Sequence, residues 1–122
     1  MNIAEALLGI TKYREKIYKE NLWEAPVDLS DVMTKLAVYK SFLADYIAPA
    51  HKKATDKQTK AFLDGRKLGL SVSESEIQAR ANATDERQDY ENLLNVYRAT
   101  SDLISVIQTR LRVIGQEERN EQ

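Results

Sequence analysis

Between Tyr90 and Ile114 the large side chains recur at alternating steps of three and four: Tyr90, Leu93, Tyr97, Thr100, Ile104, Ile107, Leu111, Ile114. That heptad spacing keeps one stripe facing a partner helix over several turns. A second stripe, Val96, Leu103, Val106 and Val113, lies beside it and widens the apolar arc beyond what a two-helix seam requires. No Gly or Pro interrupts the chain from Ser71 to Gly115, so the pattern predicts one long α-helix over 71–115. Ser71 with Glu74, and Ser73 with Glu76, both fit a capping box at its start.

The long helix needs partners, and two earlier segments supply them. Val32, Leu36, Tyr39, Leu43 and Tyr46 step four, three, four, three and predict a second helix over 28–65, with Asp28 or Ser30 as N-cap. Pro49 falls inside it and predicts a kink, because proline lacks the N–H and crowds the preceding turn. A first helix, over 1–21, is predicted from Ile3, Ala6, Ile10, Tyr13 and Ile17 on one face, with Asn2 as its cap. Gly9 weakens that helix by about 1 kcal/mol relative to alanine, so packing must hold it. Trp23, beside Pro26, reads as an anchor that pins the linker between the first two helices; a partner hot spot is the other reading. Gly65 and Gly69 mark the turn before the long helix, and the polar tail 116–122 is expected to fray. The expected fold is all-α: an antiparallel helical hairpin of two long helices with a short N-terminal helix and coiled-coil-like seams, one domain over 1–122. The apolar arc at Val96, Leu103, Val106 and Val113 exceeds what one hairpin covers, which predicts a homo-oligomer.

Composition bounds the function. The 122 residues are 43% hydrophobic and 30% charged with a net charge of −1, which describes a folded chain and neither demands nor excludes an anionic partner. The absence of cysteine removes disulfides and thiol catalysis and fits a reducing compartment. No apolar run reaches the roughly 20 residues of a membrane span, and the N-terminus lacks a basic signal region. A cytoplasmic location without membrane association is expected. Four scattered glycines form no phosphate loop, and His51 is the one histidine. It has no Glu three residues before it for a di-iron site and no motif partner for nucleophilic catalysis. The expectation is no enzyme, no metal and no cofactor.

Charge is segregated at the closed end of the expected hairpin. Lys52, Lys53, Lys57, Lys60, Arg66 and Lys67 stand against Asp56 and Asp64. Opposite them, Glu74, Glu76, Asp85, Glu86, Asp89 and Glu91 stand against Arg80 and Arg87. Either the two arms pair, for example Lys60 with Glu76 and Lys53 with Asp85, or the cations at 53, 57 and 60 on one helix face meet phosphates. The residues alone leave both open. Tyr39, Tyr46, Tyr90 and Tyr97 lie on the seams and read as core.

The layout has a counterpart. Lys35-Leu36-Ala37-Val38-Tyr39 comes first, and a lysine-rich stretch then ends in Lys60-Ala61-Phe62-Leu63-Asp64 before a Gly-Arg element in a turn. Glu76-Ile77 follows at the start of the long helix. That helix closes on Asp102-Leu103-Ile104-Ser105-Val106-Ile107-Gln108-Thr109-Arg110 and Val113-Ile114. Over Leu29 to Ile114 this resembles the UvsY-like recombination mediators of tailed phages. The resemblance implies an oligomer that binds single-stranded DNA and loads a recombinase in competition with a single-strand-binding protein. In that family the basic segment contacts DNA, which carries over by position to Lys57, Lys60, Arg66 and Lys67, and less directly to Lys52 and Lys53. The chain departs from the family in its slight acidity and in its first helix. Two other classes remain: a structural or assembly oligomer without nucleic acid, and a small inhibitor that presents its acidic arm, Glu74 to Glu91.

Overall fold

A computed structural model describes residues 1–121. Its elements are α1 (Ile3–Lys19), a 3-10 turn (Leu22–Glu24), α2 (Pro26–Lys67), α3 (Val72–Asn82) and α4 (Thr84–Glu121). The fold is all-helical, with no strand among the described residues. The chain divides into two compact units, Met1–Ala44 with the chain from Val96 onward, and Asp45–Asn95. The continuous helices α2 and α4 contribute to both.

The first unit is built on large aliphatic side chains. Ile10 and Ile17 of α1, Leu22, the α2 residues Leu29, Val32, Leu36 and Leu43, and Ile107 of α4 are buried. Each contributes roughly 1.5–3 kcal/mol on full burial. Asn2 caps α1 as expected, its Oδ1 accepting from the Glu5 N–H at 2.9 Å. Gly9 has a positive reason to be glycine: the Tyr39 ring lies directly over it, and a Cβ there would overlap the ring. Tyr39 also meets Tyr13 at 6.1 Å between centroids. The linker is pinned more by Arg110 than by Trp23. The Arg110 Nε donates to the Trp23 carbonyl at 2.9 Å, and its Nη2 bridges both carboxylate oxygens of Glu24. Trp23 itself packs edge-on to Tyr18 at 6.2 Å.

The second unit has a core of small residues. Ala54 and Gly65 of α2, Ser75 and Ala79 of α3, and Ala83 are buried, and Leu93 is the large side chain among them. A Cβ at Gly65 would sit 3.0 Å from the Ser75 hydroxyl, so this glycine sets the approach of α3 to α2 instead of forming the turn. Gly69 forms it, at φ +85. Its N–H bonds the Arg66 carbonyl at 3.1 Å and the Leu70 N–H bonds the Gly65 carbonyl at 3.0 Å, the two hydrogen bonds of a Schellman motif. Ser71 then caps α3 through the Glu74 N–H at 3.1 Å.

Several helix boundaries differ from the sequence expectation, and α1 at Ile3–Lys19 is slightly shorter than 1–21. The helix expected over 71–115 is two helices, separated at Ala83, whose backbone at φ −100 and ψ 11 leaves the α region. Ala83 still donates to Ala79 and accepts from Arg87, so the ladder bends through one residue with little loss. The second helix starts at Pro26 and ends at Lys67, wider than 28–65, because proline suits a first helical position where no N–H is needed. It runs on through Pro49. The C-terminal helix passes Gly115 and reaches Glu121, since one glycine costs only about 1 kcal/mol and good helix formers follow it. The tail expected to fray is therefore helical, apart from Gln122, which lies outside the described residues.

The heptad seam behaves as expected. Leu93, Thr100 and Ile107 are buried, and Tyr90, Tyr97, Ile104, Leu111 and Ile114 are half-buried.

Candidate nucleic-acid interface

All six cations singled out in the sequence, Lys52, Lys53, Lys57, Lys60, Arg66 and Lys67, lie on the second half of α2, within the second unit, and all are exposed. This half of the helix carries few large apolar residues, and its side chains therefore extend into solvent. Lys52 pairs along its own helix with Asp56 at 2.5 Å. That bond, together with the carboxylate charge, raises the Lys52 pKa above its ordinary value. Lys57 crosses to α4 and bonds Glu86 at 2.7 Å. The bond to Lys57 holds the Glu86 carboxyl below the ordinary glutamate range, helped by a backbone hydrogen bond and the charge of Lys53, against partial desolvation. Arg66 folds back onto the turn, donating to the Leu70 carbonyl at 2.9 Å.

Four of the six, Lys53, Lys60, Arg66 and Lys67, are in no ion pair among the described residues. The Lys60–Glu76 and Lys53–Asp85 bridges expected from the sequence are not among those formed, and Lys57–Glu86 is the pair that joins the two arms. Exposed pairs of this kind contribute roughly 0–1 kcal/mol and are weakened by salt, so the pairing leaves most of the basic face available to an anion.

Directions inside this unit follow from its contacts. His51 meets Tyr90 edge-on at 4.9 Å, and six residues further along α2 Lys57 meets Glu86, so α2 and α4 run antiparallel here. Next to that pair, Arg87 Nη2 donates to Gln58 Oε1 in a partly buried hydrogen bond. Sequence reasoning assigned Arg87 and Arg80 to the acidic arm as minor offsets. Their spacing of seven on adjoining helices was the available signal.

The four residues expected at an oligomer interface fall on α4 in the first unit. Val96 and Leu103 are half-buried, Val106 is 54% exposed and Val113 36%. Val106 and Val113 line an open, mostly apolar groove of about 490 Å³ with Trp23, Ser105, Thr109 and Arg110. The sequence had not connected Trp23 with this stripe. Neither a cluster of three or more metal-ligating side chains nor a helix long and apolar enough to cross a membrane occurs among the described residues.

No protein-family model matches the chain, and no curated protein or solved structure matches it.

Proposed function

We propose that this protein is a phage-type recombination accessory protein, a UvsY-like mediator that binds single-stranded DNA as a homo-oligomer of helical hairpins and assists recombinase loading against a single-strand-binding protein. The observation that carries the reading is the unspent charge on α2: Lys53, Lys60, Arg66 and Lys67 stand exposed without ion pairs among the described residues, although acidic residues crowd the neighbouring helices. A helix that kept its lysines only for register would spend them on those carboxylates. One subunit engages few phosphates, so tight binding requires several copies on one strand, where effective concentration multiplies modest contacts. The groove at Trp23, Val106 and Val113 supplies an apolar surface for that assembly.

Anisotropy titration of a labelled oligo-dT at low salt, with mass by light scattering on the same sample, tests this. Lys60→Ala with Lys67→Ala should abolish binding and leave the mass unchanged. Val106→Glu should lower both mass and affinity. The parent's affinity should fall with salt at a slope of about −0.7 per phosphate neutralised. A double lysine variant that binds as the parent does would remove the basic face from the mechanism.

The same groove favours a second reading, an assembly protein that oligomerises without nucleic acid. The net charge of −1 is consistent with it, and in that case the parent shows a stable oligomer and no oligonucleotide binding.

A further inference from the structure

The second unit holds a polar hollow separate from the lysine face. Arg80 of α3, Thr84, Arg87, Gln88 and Glu91 of α4 and Gln58 of α2 line an open hollow of about 540 Å³. Gln58 and Arg87 also border a second hollow of about 360 Å³, where Thr59 and Phe62 of α2 face Glu76 of α3. The Gln58–Arg87 hydrogen bond is thus a ridge with a space on either side. Both volumes fall within the roughly 300–1,000 Å³ typical of small-ligand sites.

The electrostatics of the ridge are incomplete. A guanidinium carries five donors, and Arg87 is partly buried with one neutral amide oxygen as its hydrogen-bond partner. Neither Arg80 nor Arg87 is in an ion pair among the described residues, although Glu91 borders the same hollow. Arg80 and Arg87 line the same hollow, and planar guanidinium donors match the oxygens of a phosphate. Across the ridge, the second hollow is lined by half-buried Phe62, an aromatic of the kind on which bases stack, and by Thr59 and Glu76, which carry hydrogen-bonding groups.

We infer that this double hollow is a nucleotide site, in which Arg80 and Arg87 hold a phosphate and Phe62 stacks the attached base. The nucleotide belongs to a single strand, and in this the inference rests on the function proposed above; a free mononucleotide presents the same chemistry. Glu91 is the one carboxylate lining the phosphate side among the described residues, and it opposes binding.

Oligo-dT anisotropy and a millimolar dTMP titration followed by NMR amide shifts test the site on the full chain. Arg80→Gln with Arg87→Gln should weaken oligo-dT about tenfold or more and flatten the salt slope by about 0.7, one phosphate's worth. Phe62→Leu, which keeps an apolar side chain at this position, should weaken it about fivefold or more. Glu91→Gln should tighten it, a gain that loss of folding cannot imitate. If the parent binds oligo-dT while these variants bind as it does, the site is overturned and the lysine face alone serves the strand. If the parent does not bind oligo-dT, the function proposed above fails. In that case dTMP-induced shifts at Arg80, Arg87 and Phe62, lost in the double arginine variant, would uphold the site for a free nucleotide. Their absence would overturn it as well.

Discussion

The same two helices, α2 and α4, build two different interiors. In the first unit they present Leu29, Val32, Leu36, Leu43 and Ile107. In the second, Gly65 of α2 meets Ser75 of a short helix, and the other buried residues are Ala54, Ala79 and Ala83, with Leu93 of α4 the large side chain among them. A buried methyl or methylene contributes only about 0.8 kcal/mol, against roughly 1.5–3 for a leucine or isoleucine. Small residues permit close helix approach with little apolar area behind it. The difference assigns tasks: the aliphatic unit carries most of the stability, while the second unit holds its charged and polar groups on a lightly buried frame. Regions of low apolar burial open locally at lower free energy than the rest of a fold, and binding surfaces are drawn from such regions.

The largest expected effect lies in the aliphatic unit. Leu36→Ala or Ile107→Ala, at fully buried positions, should cost about 2–5 kcal/mol, read as a lowered Tm by circular dichroism. A cost no larger than that of Ala79→Gly would erase the contrast between the two interiors.

Gly9→Ala comes next. Alanine gains about 1 kcal/mol of helix propensity, but its methyl must displace the Tyr39 ring, and overpacking typically costs about 1–3 kcal/mol. Net destabilisation is expected in urea melts, with recovery on adding Tyr39→Leu. A stabilised single variant would mean that the ring moves aside freely.

In the small-residue unit the expected sign reverses. The Ser75 hydroxyl is buried without a hydrogen-bond partner among the described residues, and such a group costs about 1–3 kcal/mol. Ser75→Ala should therefore stabilise, by about 1 kcal/mol, and slow amide exchange across α3. A loss of stability would show that the hydroxyl is satisfied in solution.

The smallest effect is electrostatic. Glu86 has a lowered folded pKa because Lys57 bonds it, so its contribution is fully present above the ordinary glutamate value of 4.5 and declines as pH falls through the folded value. Lys57→Met should lower stability slightly above that window, where the pair contributes in full, and meet the parent's profile below it, so that the acid slope is flattened. Identical profiles would place the pair outside the stability of the second unit.

How much of this was legible in the sequence follows the same division. The seams of the aliphatic unit, Leu36 and Leu43 in α2 and Thr100 and Ile107 in α4, carry a strong three-four period because large residues alternate with polar ones. In the second unit the core residues apart from Leu93 are Ala, Gly and Ser, which leave almost no hydrophobic period to read. The basic face was visible there as a charge run, but its interior was not. The break at Ala83 was hidden for a related reason: alanine is the best helix former, and nothing local to it signals a change in backbone. Gly9 was readable as a weak point, but the ring that requires it comes from a residue thirty positions away. Arg110 reaching back to Trp23 and Glu24, and Arg87 reaching Gln58, are likewise long-range contacts that no local pattern encodes.

Residue-resolved hydrogen exchange, without and with an oligo-dT strand, tests the central claim most directly: one unit holds the fold and the other meets the ligand. The strongest protection is expected at Leu29–Leu43 and Thr100–Leu111 and the weakest in α3. The strand should add protection in α2 after His51, in α3 and at the start of α4, with little change around Leu36 or Ile107. Uniform protection in the free protein, or strand-induced protection confined to the aliphatic unit, would contradict it.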